Sequence, residues 1–432
     1  MKKTIKLAVV AALALGSTSV FATNGSNLIG TGTKSRAMGG AAIGLSHGAE
    51  SGLNNVALIS KVANTEISFG GTIFMPNVSA NMGAGYSDSA ADMSVIPEVS
   101  IASKITDNFY MGIGMWGTAG MGVDYRNAEG STSNMNMVTN LQLMQFGVPM
   151  AYSISGFSVG ITPVLQYGSL DMHYKMDMGH VQYGPDGQPI GPVGAEDVGS
   201  GVAQDLKFGF NLGLSYEIAG FTLGAIYKSQ IDMEYDGQLS TATQPFVNFG
   251  IFPGAMSDKL STPAEMGIGF SYETSGHTVA ADYKQVAWSD AEGYKNFGWN
   301  DQDVIALGYQ YAAKGWALRL GYNYAENPIS DAGAMDMSQA GNNMPMYGGN
   351  AINQFNLLGF PATIESHYTL GGSYDISKTT SIDLAYVYAP ETETTLQTMP
   401  YMDMQNPENS RDSEITATHS QQSVSLQLNY IF

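Results

Sequence analysis

The chain has 432 residues and a formal net charge of −20, with 18 Lys and Arg residues against 38 Asp and Glu residues. Such an acidic chain is not expected to bind nucleic acid. Because cysteine is absent, disulfide bonds and thiolate metal sites are excluded, and stability must come from packing and hydrogen bonds.

Residues 1–22 have the pattern of a secretory signal peptide. A basic start at Lys2 and Lys3 is followed by an apolar stretch at residues 5–15 and by small or apolar residues up to Ala22. The stretch is shorter than the roughly 20 apolar residues that span a bilayer, and no stop-transfer sequence follows it. We therefore predict cleavage after Ala22 and export from the cytoplasm.

Residues 23–62 do not alternate in the manner of a strand and are rich in Gly, Ala, Ser and Asn. A disordered periplasmic tail is one interpretation, but residues 37–45 and 53–59 contain more apolar side chains than such a tail needs. A compact plug inside a larger structure would bury those side chains. We therefore predict a plug at residues 23–62, ahead of the first strand.

Residues 63–432 contain fourteen segments in which apolar and polar side chains alternate. The clearest are residues 206–216, 316–324 and 423–432, where every second residue is apolar over most of the segment. This period of two is typical of a strand with one apolar face. The segments begin near residues 65, 92, 109, 140, 157, 204, 221, 261, 277, 302, 315, 365, 379 and 421.

The gaps between these segments alternate between short and long. Short gaps such as residues 155–156 and 219–220 predict tight turns. The long gaps are rich in Gly, Asn, Asp, Pro and Met and include residues 177–203, 237–260, 327–363 and 391–420. Short turns on one side and long loops on the other are typical of an outer-membrane β-barrel with periplasmic turns and extracellular loops.

A soluble β-sandwich is the alternative fold, and it would place the apolar faces in a shared core. Against it, the polar faces carry charges, among them Lys207, Glu265, Asp282 and Arg319. In a closed barrel those charges line the lumen and can pair, while the apolar faces contact lipid. We therefore predict an all-β fold: a 14-stranded antiparallel transmembrane β-barrel in the outer membrane of a Gram-negative bacterium, with residues 23–62 plugging the lumen.

Several motifs of the chain carry a family resemblance. A Met-Gly-Gly-Ala sequence occupies residues 38–41, and an Asn-x-Ala-Leu sequence occupies residues 55–58. Farther on come residues 262–266, the pair at 288–289, and residues 305–309 and 318–322. In order and spacing these motifs resemble the FadL/TodX family of outer-membrane transporters for long-chain fatty acids and aromatic hydrocarbons, over the whole mature chain.

The resemblance implies that residues 23–62 form a hatch that gates the lumen. The gating positions that it implies are Met38, Gly39, Gly40, Asn54, Asn55, Val56 and Ala57. Where the family motif is Asn-Pro-Ala, this chain has Val56, which frees φ and restores an N–H donor. The implied partners are a hydrophobic small molecule and the lipid bilayer, and the implied protein is a monomer without cofactor or metal.

The resemblance also implies where cargo binds and leaves. In the family, cargo binds in the lumen near the mature N-terminus, which implies roles for Thr23 and Asn24. Lys295, seven residues after Trp288, would neutralise an acidic cargo, or it is an ordinary solvated loop lysine. No basic residue matches a second one that the family has on its fifth strand, near Gly168, which argues for neutral cargo.

The family's cargo leaves sideways through a kink in the third strand. The implied kink residues in this chain are Trp116, Gly117, Gly120 and Gly122. A single glycine could equally well pack inside a barrel, but five glycines in one strand favour a kink.

A surface-exposed binding or structural barrel is the alternative function. It is motivated by Met-Asp-Met triplets at residues 176–178, 335–337 and 402–404, all predicted on extracellular loops. Methionine is a soft ligand for Cu(I), but it also suits an adaptable apolar groove, which we favour. Because the six histidines are scattered and no nucleophile or phosphate motif accompanies them, we expect no enzyme.

Overall fold

Fourteen long β-strands make up most of the computed structural model, which describes residues 23–432 except 84, 127, 129–133, 178–180, 184–188, 193–194, 333–347 and 402–410. Their order and number confirm the fourteen predicted segments. The strands are β1 (Thr65–Asn81), β2 (Ser94–Lys104), β3 (Phe109–Asp124), β4 (Val138–Gly147 continued by Met150–Ile154), β5 (Phe157–Asp177), β6 (Ala203–Ile218), β7 (Phe221–Lys228), β8 (Glu265–Thr274), β9 (His277–Val286), β10 (Gln302–Ala313), β11 (Trp316–Ala325), β12 (Ser366–Asp375), β13 (Thr380–Tyr401) and β14 (Arg411–Ile431).

The strands form a closed antiparallel barrel. Each strand pairs with the next one in sequence, and β14 pairs with β1 from Thr416 opposite Asn81 to Ile431 opposite Glu66. Closure matters in a membrane because an open edge would leave backbone N–H and C=O groups without partners in hydrocarbon. The predicted all-β, 14-stranded barrel is therefore confirmed.

The alternating sequence pattern separates the two faces of the wall. In β11 the outward-facing Leu318 is 55% exposed, whereas its neighbour Arg319 is 6% exposed and faces the lumen. Leu426 and Gln427 of β14 repeat this arrangement. The apolar face therefore meets lipid, and the polar face is covered from inside.

Two-residue turns join the strands at one end of the barrel, as predicted. In the turns 155–156 and 219–220 both residues have positive φ: 52° and 82° for Ser155 and Gly156, and 51° and 84° for Ala219 and Gly220. This conformation suits the right-handed twist of the flanking strands. Outer-membrane barrels place such short turns on the periplasmic side.

The predicted loop at residues 391–420 is wrong, because β13 continues to Tyr401 and β14 already begins at Arg411. Apart from Leu396, residues 391–398 are polar, so the apolar alternation that marks a membrane strand is absent. Their threonines still favour extended backbone, and residues 392–398 pair with residues 413–419. The hairpin of β13 and β14 therefore extends beyond the apolar band of the barrel.

Residues 23–62, hereafter the N-terminal segment, lie inside the barrel and are nearly all buried. The segment begins with a hairpin of Thr23–Asn24 and Asn27–Leu28. Its other elements are helix α1 (Thr33–Ala37), the 3-10 helix Gly48–Glu50, helix α2 (Ser51–Asn54) and the 3-10 helix Val56–Lys61. Residues 1–22 lie outside the described residues, so the signal peptide stays a prediction.

Two further helices lie in tracts that the sequence assigns to long loops: α3 (Gln238–Asn248) and α4 (Gly348–Gly359). They pack on each other through Phe246 and Phe355, whose ring centroids are 5.0 Å apart. Tyr174 of β5 contacts both rings. An apolar core therefore fills the lumen at the end opposite the short turns. None of the helices in the described part of the chain is long and apolar enough to cross a membrane.

Four shorter strands complete the described secondary structure. They are Ser87–Asp88, which pairs with β1, Val181–Tyr183 and Pro189–Pro192, which pair with each other, and Ala195–Gly199, which pairs with β5.

Candidate functional site: the lumen and a window in its wall

A buried ion pair fastens α1 to the wall. The Arg36 guanidinium donates to both carboxylate oxygens of Glu98 in β2, at 2.8 and 2.5 Å, and to the Thr72 hydroxyl of β1 at 2.9 Å. The Gly32 amide also donates to Glu98, at 3.2 Å. Such a bidentate pair fixes position as well as charge, so it sets where α1 sits against β1 and β2.

A second anchor holds the middle of the segment to β9. The Asp282 carboxylate accepts the backbone N–H groups of Ala42, Ile43 and Gly44, at 2.6, 2.7 and 3.4 Å. The Ser271 hydroxyl of β8 donates to the Gly44 carbonyl at 2.7 Å. A single carboxylate therefore satisfies three buried amides of a stretch that forms neither helix nor sheet.

Replacing Asp282 by Asn is expected to lower the free energy of unfolding by about 1–3 kcal/mol, because an amide group cannot accept all three N–H groups and leaves buried donors unpaired. Urea unfolding in lipid vesicles measures this change. Asp303→Asn is the control, since Asp303 is an exposed residue at the start of β10. Equal stability of the two variants would contradict the anchoring role of Asp282.

The gating positions Met38, Gly39 and Gly40 lie against β10, β11 and β12. Gly39 has φ of +69°, donates its N–H to the Thr369 hydroxyl at 3.0 Å and accepts from the Asn323 amide at 3.0 Å. A Cβ on Gly39 would lie 2.6 Å from a backbone oxygen of the wall. Glycine is therefore required by both conformation and space.

The second set of gating positions surrounds Asn55. Its side-chain amide donates to the Ile43 carbonyl at 2.7 Å and to the Leu214 carbonyl of β6 at 3.0 Å, and its oxygen accepts from the Ala57 amide at 3.1 Å. Asn54 instead bonds the Thr31 carbonyl at 2.8 Å. Asn55 thus caps a 3-10 helix and ties it to the wall at once.

Val56 stands where the family resemblance implies the proline of an Asn-Pro-Ala motif. It is buried, and a Cβ on Gly160 of β5 would lie 2.9 Å from its Cγ1 atom. The preceding residue, Asn55, has extended backbone with φ −126° and ψ 103°, the conformation that a following proline would also require. The turn therefore keeps a proline-compatible shape without the proline.

The Lys34 ammonium lies among three carboxylates, 3.7 Å from Glu50, 3.8 Å from Glu66 and 3.7 Å from Asp383. Burial raises the pKa of Glu50 to about 7, and the charge of Lys34 opposes that rise. Burial also lowers the pKa of Lys34, but the three carboxylates outweigh it and hold this pKa above its usual value.

A separate charged group lies beside the first hairpin. Glu265 of β8 accepts from Lys284 at 3.2 Å and from the Asn27 amide at 3.1 Å, and it lies 3.4 Å from Lys228. Two small cavities of about 40 Å³ each are lined by Lys228 and Glu265, and Lys284 and Asp282 also line one of them. Two lysines and two carboxylates therefore balance in charge.

Backbone pairing between β2 and β3 stops part-way along β3, and we call the unpaired stretch the window. Their pairing runs from Lys104 opposite Tyr110 and ends at Glu98 opposite Trp116. Pro97, the next residue of β2, has no N–H group to contribute. The register of β3 against β4 also shifts between Gly117 and Ala119. The rest of β3 therefore leaves β2, at the place where the resemblance implies a kink.

The N-terminal hairpin lines this window from inside. Asn27 pairs with Ala119, and the Gly120 amide donates to the Ser26 carbonyl at 3.1 Å. Farther along β3, the Ala90 amide donates to the Asp124 carbonyl at 2.8 Å and closes the window at its far end. Packed in this region are Leu28, Phe74, Ala91 and Ile96.

The same hairpin touches a buried aromatic cluster formed by Trp288, Tyr294 and Trp299. The Ser26 and Tyr294 hydroxyl groups are 3.1 Å apart, and Gly25 lies against the Trp288 ring. The Trp288 ring centroid is 4.6 Å from that of Tyr294 and 5.1 Å from that of Trp299. The hairpin therefore connects the aromatic cluster with the window.

Residues 8–336 match the model of a family described as outer membrane protein transport protein (OMPP1/FadL/TodX). The chain belongs to this FadL/TodX family. The protein is therefore an outer-membrane transport protein, in agreement with its barrel fold. The sequence has no significant match among curated proteins.

Solved structures of FadL/TodX proteins share the fold. A Pseudomonas aeruginosa FadL homologue has a TM-score of 0.69 at 16% identity, covering 94% of this chain and 100% of its own. The P. putida toluene transporter TodX has 0.63 at 19% identity, and the Ralstonia pickettii toluene transporter TbuX has 0.61 at 16%, each covering 94% of this chain and 99% of its own.

The implied FadL/TodX binding positions lie in two different places. Thr23 and Asn24 are buried in the hairpin beside the aromatic cluster, and neither amide atom of Asn24 has a hydrogen-bond partner among the described residues. Lys295 is different: its side chain is 40% exposed, and its ammonium pairs with Glu292 at 2.5 Å. Lys295 is therefore not part of the buried aromatic cluster.

The implied kink residues lie in β3, and the Met-Asp-Met triplets lie largely outside the described residues. Trp116 is buried and donates its indole N–H to Ser100 at 2.8 Å, and a Cβ on Gly122 would clash with the Thr139 carbonyl. The triplets at 335–337 and 402–404 lie outside the described residues, as does Met178 of the first. Among the described residues, no three His, Asp or Glu side chains are arranged to hold a metal.

The sequence reasoning missed the two anchors, Arg36 with Glu98 and Asp282 with residues 42–44. Strand periodicity predicts that a charged residue on the polar face points into the lumen, but it does not identify the residue with which it pairs. Only the fold brings Arg36 and Glu98 together across 62 positions of sequence.

Proposed function

We propose that this protein takes up neutral hydrophobic compounds, such as aromatic hydrocarbons, and releases them sideways into the bilayer through the β2–β3 window. The N-terminal segment acts as the hatch that closes the lumen towards the periplasm. The observation that carries the proposal is the N-terminal hairpin, which touches both the aromatic cluster and the edge of the window. The protein acts as a transporter without enzymatic activity, and as a monomer, since the closed barrel needs no second copy.

The charges of the lumen support neutral cargo over fatty acids. Beside the hairpin, Lys228 and Lys284 face Glu265 and Asp282, so the described residues leave no unbalanced positive charge there for a carboxylate. Lys295 is held by Glu292. The proteins of similar fold named as toluene transporters agree with an apolar cargo.

Energetics support a sideways exit. Exposing apolar surface to periplasmic water costs on the order of 25 cal/mol per Å², and exit into the bilayer avoids that cost. Straight passage would also require breaking the Arg36 and Asp282 anchors and the hydrogen bonds of Asn55. Opening the window requires separation of the hairpin from Ala119 and Gly120 and displacement of side chains packed there, such as Ile96.

Deleting the gene should slow uptake of toluene or a related hydrocarbon at least severalfold, because apolar molecules cross the outer membrane poorly without a transporter. Sugar entry should be unchanged. Radiolabelled uptake by intact cells measures both. A long-chain fatty acid serves as the comparison cargo. Wild-type rates for hydrocarbon and fatty acid alike would contradict hydrophobic transport, whereas a defect for the fatty acid alone would contradict only the neutral cargo.

A further inference from the structure

The lipid-facing surface of the barrel has an apolar groove of about 540 Å³ across β11, β12 and β13. The groove exists because residue 372 of β12 is glycine, which has no side chain. Gly372 of β12 faces Leu318 on one side and Leu384 on the other, whereas the neighbouring outward positions of β12 carry Leu370 and Tyr374. The result is a channel between large side chains, running along the strands for about 13 Å at roughly 3.3 Å per residue.

Two lysines lie at the periplasmic end of this groove. Lys314 is in the turn between β10 and β11, and Lys378 is in the turn between β12 and β13; both are exposed. The turns are adjacent, because the Asp375 amide donates to the Gly315 carbonyl at 2.9 Å. Within the described part of the chain neither lysine forms an ion pair.

We propose that this groove binds one acyl chain of an anionic phospholipid of the periplasmic leaflet, with the lipid phosphate held by Lys314 and Lys378. The groove is continuous with the membrane-facing surface, and the lysines stand at the level of the headgroups. Trp316 and Tyr374 border it there, as aromatic side chains do at a membrane interface. In a chain of net charge −20, two unpaired cations at one place provide the charge complement that an anionic lipid needs.

A second copy of the chain is the competing occupant. A symmetric dimer through this face would set one concave groove against another, so the apolar surfaces would not interlock. It would also bring the lysines of both copies close together. Shape and charge therefore favour a lipid.

The test is native mass spectrometry of the whole mature protein in mild detergent, titrated with phosphatidylglycerol or with phosphatidylethanolamine of the same acyl chains. In the double variant Lys314→Gln/Lys378→Gln, affinity for phosphatidylglycerol should fall about fivefold for each lysine removed, since each is worth about 1 kcal/mol at an anionic surface. Affinity for phosphatidylethanolamine should change much less. Lys104→Gln is the control, because Lys104 lies beside another periplasmic turn and pairs with Asp107 at 3.1 Å.

A groove-filling variant tests the acyl-chain site separately. Leu370→Trp should weaken binding of both lipids, whereas Leu223→Trp on β7 should not; both leucines are 52% exposed. The altered migration of folded barrels on unheated gels checks that each variant folds. Unchanged phosphatidylglycerol affinity in folded lysine and groove variants would overturn the proposal, and so would a dimer that Leu370→Trp dissociates.

Discussion

Oxidising a cysteine pair at Ile96 and Gly117 is expected to abolish hydrocarbon uptake, and reduction should restore it. A Cβ on residue 117 would lie 3.8 Å from the Cβ of Ile96, which is the usual separation in a disulfide of about 3.8 Å. The bond would join β2 to β3 across the window. Because the chain has no cysteine, no other thiol competes.

A staple of the hatch is the matched comparison. The pair Val56→Cys/Gly160→Cys would tie the N-terminal segment to β5, since a Cβ on Gly160 comes within 2.9 Å of the Val56 Cγ1 atom. Uptake should persist when this bond forms, because the lateral route leaves residue 56 in place. Each single cysteine variant should transport under oxidation. Normal uptake with the window stapled, or reversible loss with the hatch stapled, would exclude the lateral route.

The second large effect concerns Arg36. In Arg36→Met the Glu98 carboxylate stays buried without its cation, so we expect the free energy of unfolding to fall by about 3–5 kcal/mol. Because this pair fastens α1, polar solutes should also leak through the loosened lumen. Unfolding in vesicles and single-channel conductance in planar bilayers measure the two effects.

The double variant Arg36→Met/Glu98→Leu separates charge from packing. It removes the unpaired carboxylate and should recover most of the lost stability, since apolar replacements of a buried ion pair are often neutral. A single variant that stays within about 1 kcal/mol of wild type would show that the pair does not hold the segment. Failure of the double variant to recover would assign the loss to packing instead.

How far the sequence predicts this structure depends on how local each signal is. The fourteen strands and their tight turns follow from a period of two and from pairs such as Ser155 and Gly156, which are visible within a few residues. The upper part of β13 was missed because Thr392 and its neighbours are polar on both faces. Helices α3 and α4 were missed because their stability comes from mutual packing of Phe246 and Phe355.

The candidate site was less predictable than the fold. Glycines in β3 pointed to an irregular strand, yet the position where pairing ends depends on β2 and on Asn27, which is distant in sequence. Lys295 was implied by the family resemblance, but the resemblance does not include Glu292, the carboxylate three residues earlier that pairs with it. Side-chain partners, unlike strand periodicity, are set by the tertiary structure.

The bonds between the N-terminal segment and the wall also constrain how the protein is made. The Thr33 amide donates to the Gln427 side chain, and that side chain donates to Glu50. These contacts join the N-terminal segment to the last strand across 394 and 377 positions of sequence. Loop-closure entropy makes such distant contacts slow to form. The segment leaves the translocation machinery first, yet its last partners arrive only with β14. Assembly must therefore keep these early residues at the inner face of a growing sheet until the seam between β1 and β14 closes around them.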